Sequence, residues 1–419
     1  MEHNQSWKRS FLIITAGQAL SQIGSSAVSF SLIWWLASFT GSAMVMGISG
    51  LVAFLPMALL SPAAGIIADK YNRKIVCMAS DLAVGIVAAL FALGLAFIEA
   101  PVWLALVILF VRAAVGAFQP PAYQAMIPQI VPAEELVRAG GWGQMVASGS
   151  YILGPVLGAA LYAAFPLHII LLSDLVGALL ACLALFLVYV PSLAPAASEP
   201  SARENTSAAE KPGFILQVRE GIEVFKQDRS LALIMIIEAL CSLFYLPLST
   251  FYPLMTSSYF AASAWHGSAI EALYAIGMLV TAALFGSVLK VKRHLLVAYI
   301  GLMGIGLTSV VSGLLPPTMA GWFVFAAMCM LMGGFSNVYS IPLIAYMQTT
   351  IDPSRMGRAF SILTLLASVT MPVGLAIAGP IAEAIGVNVW FAVAGFGMVL
   401  AAGIGFLGNH KLQSAVAAE

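Results

Sequence analysis

The sequence predicts an all-α membrane protein with twelve transmembrane helices in two six-helix halves. Apolar residues make up 61% of the 419 residues and charged residues 9%, against roughly 25% charged in a soluble domain, so the chain cannot cover a water-facing surface. Long apolar runs recur, each of about 20 to 30 residues, enough for a helix rising about 1.5 Å per residue to cross a hydrocarbon core of about 30 Å. Of the 18 Lys and Arg residues, all but Arg112 fall between or beside the runs on one side of the resulting topology.

The first run, 10–37, follows Lys8 and Arg9 but is too long for a signal peptide and lacks a small-residue cleavage pattern, so it reads as a span. The second, 43–68, ends at a basic loop with Lys70, Arg73 and Lys74, and the third, 75–98, carries Asp81. The fourth, 101–131, contains Arg112 and then Pro120-Pro121, which remove two backbone donors and should bend the helix. Small residues crowd the fifth, 138–165, and Asp174 lies in the sixth, 167–190. After the middle segment come 231–257 with Glu238, 267–289 with Glu271, and 295–316 behind Lys290, Lys292 and Arg293. The series closes with 319–348, then 358–385 behind Arg355 and Arg358, and 387–407 before Lys411.

The basic residues define the cytoplasmic side by the positive-inside rule. Both termini are therefore expected in the cytoplasm, in a multi-pass protein of the plasma membrane. Residues 191–230, opening with Ala, Ser, Pro and Glu, divide a first bundle (1–190) from a second (231–419). Within this linker Phe214, Ile215, Val218, Ile222 and Phe225 have helical spacing and suggest an amphipathic helix, on the membrane surface or packed on the cytoplasmic face. The halves repeat weakly: Gly41-Ser42-Ala43 returns as Gly267-Ser268-Ala269, Gly65 as Gly286, Pro121 and Pro132 as Pro342 and Pro353, and Ser148 and Gly154 as Ser368 and Gly374. Such internal repeats are the architecture of a rocking transporter.

Net charge is zero, so no nucleic-acid partner is expected. The 4 cysteines stand singly inside spans, without the spacing of a zinc site or a disulfide framework. No metal or cofactor is expected. A Walker loop, H-E-x-x-H and a nucleophile elbow are all missing, which argues against an enzyme. The expected partners are a small amphipathic molecule, protons and the bilayer, with the protein a monomer.

Candidate functional residues are those that an apolar helix has no other reason to keep. Arg112 lies about eleven residues into its span, roughly 16 Å from the outer end, where a lone guanidinium costs at least about 2.5 kcal/mol; it must face protein or water, as a structural ion pair or as part of a transport path. A carboxyl taken out of water is penalised in its charged form, so Glu238, Asp174 and Asp81 are candidate proton carriers. Glu238 ranks first because Ser242, Tyr245 and Ser249 continue its face, with Arg112 tuning its proton release. Asp174 has only Ser173 beside it, and Asp81 is expected to be satisfied by snorkelling or by Arg73 or Lys74. Polar stripes at Gln18, Gln22 and Ser25, at Gln119 beyond Arg112, and at Ser336, Asn337 and Ser340 fall on the first helices of the four three-helix repeats. They suggest an aqueous substrate cavity formed by Gln18, Gln22, Gln119, Ser242, Tyr245, Asn337 and Ser340.

The loop motif Gly65-Ile66-Ile67-Ala68-Asp69-Lys70-Tyr71-Asn72-Arg73-Lys74 resembles the G-x-x-x-D-[RK]-x-G-R-[RK] loop of the major facilitator superfamily, with Asn72 in place of the second Gly. The resemblance implies a gating loop at Gly65, Asp69, Lys70, Arg73 and Lys74. Arg112 with Gly116 resembles that family's R-x-x-x-G pattern. Gly154-Pro155-Val156-Leu157-Gly158-Ala159 resembles the G-P-x-x-G-G stretch of its exporters, marking Gly154, Pro155 and Gly158, although helix packing alone explains much of it.

Nearly the whole chain is similar to the macrolide-efflux branch of the drug:proton antiporters in that superfamily. The residues include Ala16-Gly17-Gln18-Ala19, Thr40-Gly41-Ser42-Ala43-Met44-Val45, Leu109-Phe110-Val111-Arg112, Asp174-Leu175-Val176-Gly177-Ala178 and Gly386-Val387-Asn388-Val389-Trp390-Phe391. The resemblance implies the major facilitator fold and proton-coupled export of amphipathic drug-like compounds, macrolides foremost, by alternating access. Glu238 departs from that branch, where an uncharged residue is expected. The alternatives are a siderophore or lysolipid transporter of the same fold and a non-transporting membrane sensor.

Overall fold

The computed structural model describes residues 2–97, 101–132, 135–190, 223, 225, 229–287 and 291–416. Among them are 12 helical stretches long and apolar enough to cross a membrane. They run as α1 (Glu2–Thr40), α2 (Ala43–Lys70), α3 (Arg73–Phe97), α4 (Val102–Gly116), α5 (Gln119–Ile130), α6 (Leu136–Ala164) and α7 (Leu167–Leu187). The second half comprises α8 (Arg229–Leu254), a π-helical turn (Met255–Tyr259), α9 (Ala264–Ser287), α10 (His294–Leu314), α11 (Met319–Thr350), α12 (Pro353–Ile385) and α13 (Val387–Val416). Apart from residues 223 and 225, the expected amphipathic stretch of the linker lies outside the described residues.

The fourth span consists of two helices. α4 and α5 form one crossing, Val102–Ile130, broken at Ala117 and Phe118 just ahead of Pro120 and Pro121. The prolines supply no N–H to the carbonyls of the preceding turn, so the bend expected from the sequence is an actual interruption. The seventh span widens into a π turn beyond Pro253, where Phe260 N–H donates to Met255 O at 3.1 Å. Hydropathy carries no trace of this turn. Two helix connections need glycine: Gly41 has φ +60° and Gly386 φ +97°, the left-handed region that other residues avoid.

The chain separates into two units, Met1–Thr40 with Ile48–Glu204, and Gly41–Gly47 with Asn205–Glu419. In the first, α1 packs on α6 and α7, and α3 packs on α7, α4 and α5. In the second, α8 packs on α12 and α13, and α10 on α13 and α11. These packings correspond between the units, while α9 also packs on α11 in the second unit without a comparable packing of α2 in the first among the described residues. Gly154 of α6 lies against Ser26 of α1, and Gly374 of α12 lies against Leu243 of α8, so a glycine pair noticed as a sequence repeat does the same packing work in each unit. All four cysteines are free and buried, and the described residues contain no cluster of potential metal ligands.

Candidate functional site

Gln18, Ser21, Gln22 and Ser25 are spaced so that they share one face of α1. Glycines on two neighbours let α1 approach closely. A Cβ on Gly158 of α6 would stand 2.6 Å from Ala27 O, and one on Gly177 of α7 would stand 3.2 Å from Ser21 Cα. The polar face of α1 thereby meets Ser80 and Asp81 of α3, Arg112 and Gly116 of α4, Gln119 of α5 and Asp174 of α7, and together these residues line a cavity of about 330 Å³ inside the first unit.

Two hydrogen-bonded groups organise the cavity. Gln119 Nε2 donates to Gln18 Oε1 at 2.6 Å, and Gln18 Nε2 donates to Asp81 Oδ2 at 2.8 Å. Beside them, Arg112 Nη2 lies 2.5 Å from Asp174 Oδ2, the two side chains 7% and 2% exposed. Ser25 Oγ donates to the other oxygen of Asp174. The Nε of Arg112 is buried and has no hydrogen-bond partner among the described residues. A cation and two carboxylates thus share one small polar chamber, where charges interact far more strongly than in water.

Several expectations change on this geometry. Arg112 is paired with Asp174, the ion-pair alternative of the sequence reading. Asp174 is held by Arg112 and Ser25, neither adjacent to it in sequence. Asp81 takes its hydrogen bond from Gln18, in place of Arg73 or Lys74. Gln18, Gln22 and Gln119 line one cavity.

The other candidates belong to the second unit. Glu238 is half-buried on α8 and accepts a hydrogen bond from Tyr339 OH of α11. Ser242 Oγ bonds back to Glu238 O at 2.8 Å, and Tyr245 OH pairs with Tyr274 OH. Asn337 Nδ2 donates to Met278 O at 2.7 Å, while Ser340 is half-buried. Tyr252 OH bonds to Glu271 Oε1. Sequence reasoning missed Tyr339, Tyr274 and the Ser25–Asp174 bond; a tyrosine inside an apolar span, whose hydroxyl needs a partner when buried, was the available signal.

The sequence profile described as Major Facilitator Superfamily matches residues 14–309. The chain belongs to the major facilitator superfamily. It is similar to macrolide efflux protein A of Streptococcus pyogenes, 34% identical over 397 residues covering 94% of this chain and 95% of that protein. It is 33% identical to macrolide efflux protein A of Enterococcus faecalis over 337 residues, 80% of this chain and 100% of that one. The fold matches the crystal structure of a bacterial homolog to the human lysosomal transporter Spinster, with a TM-score of 0.70 at 15% identity and 97% of each chain covered. Superfamily membership makes this a multi-pass membrane transporter, not an enzyme.

The superfamily loop between the second and third spans is tied into the first unit. Asn72, standing where the superfamily pattern has Gly, starts α3: its Oδ1 accepts from Lys74 N at 3.0 Å and its carbonyl from Val76 N at 3.0 Å, the work of a helix N-cap. Arg73 Nη1 donates to Ala125 O at 2.7 Å and Lys74 Nζ to Val188 O at 2.8 Å. Lys74 thereby meets the carbonyl end of α7, and Arg73 a carbonyl within α5. Lys70 Nζ lies 5.9 Å from the Tyr71 ring centre. Gly65 is in open space, with nothing within 4 Å of an added Cβ. The side chain of Asp69 lies outside the described residues. In the exporter-like stretch, Gly154 and Gly158 are the points where α6 meets Ser26 and Ala27 of α1, and Pro155 sits inside α6.

Proposed function

We propose that this superfamily member exports bulky amphipathic compounds, macrolide-type antibiotics foremost, from the cytoplasm or inner leaflet in exchange for protons, by alternating access. The observation that carries the reading is the Arg112–Asp174 ion pair inside a polar cavity that also holds Asp81. Ionisable groups in membrane spans are costly and mark substrate or proton paths. The direction and substrate class are supported by the two relatives named macrolide efflux protein A and by the exporter-like Gly154-Pro155-Gly158 stretch.

In this reading a proton arriving on Asp174 neutralises the carboxylate and weakens its hold on Arg112. The guanidinium is then released toward an acceptor on the substrate, for which its Nε is already available. Asp81, linked through Gln18 to Gln119, is a second proton carrier, and Glu238 with Tyr339 a third in the second bundle. Proton binding must favour one facing state over the other, since a ligand without differential affinity shifts nothing. The gating loop at Gly65, Asp69, Lys70, Arg73 and Lys74 controls the cytoplasmic end, in a monomer of two bundles (1–190 and 231–419) joined by 191–230, with both termini in the cytoplasm of a plasma-membrane protein. The test is macrolide uptake into energised everted vesicles. Export coupled to protons requires uptake to stop when an uncoupler collapses the gradient; uptake that continues unchanged would refute it.

A further inference from the structure

At one end of the second unit, the start of α10 and the ends of α11 and α13 enclose a separate cavity of about 620 Å³. Lys292, Arg293, His294, Tyr299, Tyr346 and Asn409 line it, and among the described residues its lining includes no acidic one. Lys292 and Arg293 are exposed at its mouth. Tyr299 is only 3% exposed, yet its hydroxyl has no hydrogen-bond partner among the described residues, and the same holds for His294 Nδ1. A buried polar atom left without a partner is costly to keep, and here two of them face one basic chamber. The first turn of α10 adds free backbone donors, because Arg293 at its N-cap provides no side-chain cap.

Cations, a helix N-terminus and an unpaired hydroxyl together match one chemistry, a phosphate group. The basic loop beside the cavity is the second-half counterpart of the gating loop, but it lacks the acid, so its cations are not committed to an internal carboxylate by that motif. By the positive-inside rule this end of the bundle faces the cytoplasm, where basic pockets between membrane helices take acidic lipid headgroups. Phe406 on the lining, 43% exposed, offers an apolar flank for an acyl chain. We propose that this cavity seats a phosphate group, presented by an acidic phospholipid of the inner leaflet or by free phosphate. The site is independent of the export reading.

The test measures binding of short-chain phosphatidylglycerol and phosphatidylcholine to the full-length purified protein by native mass spectrometry. Phosphatidylglycerol is expected to bind more tightly than phosphatidylcholine, and the double variant Lys292→Gln, Arg293→Gln to lose about tenfold of that affinity. Tyr299→Phe removes one unpaired hydroxyl, so it is expected to melt no lower than the wild type while weakening phosphatidylglycerol binding; it gives the reading even where the double variant does not fold. Competition by inorganic phosphate identifies the free anion as the ligand, and its failure to compete identifies the lipid. Equal binding of the two lipids to the wild type, or phosphatidylglycerol binding untouched by these substitutions, would overturn the proposal.

Discussion

Arg112 of α4 and Asp174 of α7 form an ion pair with 2.5 Å between Nη2 and Oδ2, both side chains almost fully buried. Removing one member of a buried pair leaves an uncompensated charge and costs about 3–5 kcal/mol. Arg112→Ala is therefore expected to lower the melting temperature in detergent sharply. Replacing both, as in Arg112→Met with Asp174→Leu, should recover much of that stability and still abolish transport. Recovery of transport in the double variant would reduce the pair to a structural brace.

Gln18 is the link between Gln119 and Asp81, accepting from one and donating to the other. Gln18→Leu keeps the side chain's approximate size but leaves both neighbours short of a partner, at a cost of about 1–3 kcal/mol. Thermal melting should fall accordingly, and macrolide resistance in a pump-deficient host should fall with it. Asp81→Asn, which retains an acceptor for Gln18, should melt close to the wild type.

Two glycines of the family-like motifs should behave oppositely. Gly158 faces the Ala27 carbonyl, 2.6 Å from where a Cβ would stand, and Gly65 has nothing within 4 Å. Gly158→Val forces α1 and α6 apart and should cost about 1–3 kcal/mol. Gly65→Ala replaces a helical glycine in open space and should leave stability unchanged or raise it by about 0.5–1 kcal/mol. Melting curves of the two variants decide.

Glu238 and Tyr339 are bonded across α8 and α11. A double-mutant cycle with Glu238→Gln and Tyr339→Phe should give a coupling energy of about 0.5–3 kcal/mol. Additive effects would mean that the two do not act together. In vesicles, Glu238→Gln should weaken proton coupling; intact coupling would remove Glu238 from the proton path.

Composition and charge placement were enough to find the spans, because burying a helix in lipid demands the same apolar length at each crossing. The break before Pro120 was legible for a similarly local reason, since a missing N–H acts on the preceding turn. Gln18, Gln22, Gln119, Asp81, Asp174 and Arg112 were each visible as polar exceptions. Their partners were not. Which residue pairs with Arg112 depends on how neighbouring helices are rotated against one another, and largely apolar helices leave much of that rotation unmarked in the pattern. Small residues such as Gly158 and Gly177 fix it by where they allow close approach, and this emerges only when the helices are packed. The same reason hid Tyr339, which lies off the Asn337–Ser340 stripe yet reaches Glu238.

The most direct test of the account follows protons and drug together. Everted vesicles holding an imposed proton gradient, reported by a pH-sensitive dye, receive a macrolide. Wild-type protein should dissipate the gradient on drug addition, and Asp174→Asn, at matched expression, should fail both to dissipate it and to accumulate drug against the gradient. Drug-driven proton movement undiminished in Asp174→Asn would contradict the assignment of coupling to the Arg112–Asp174 pair.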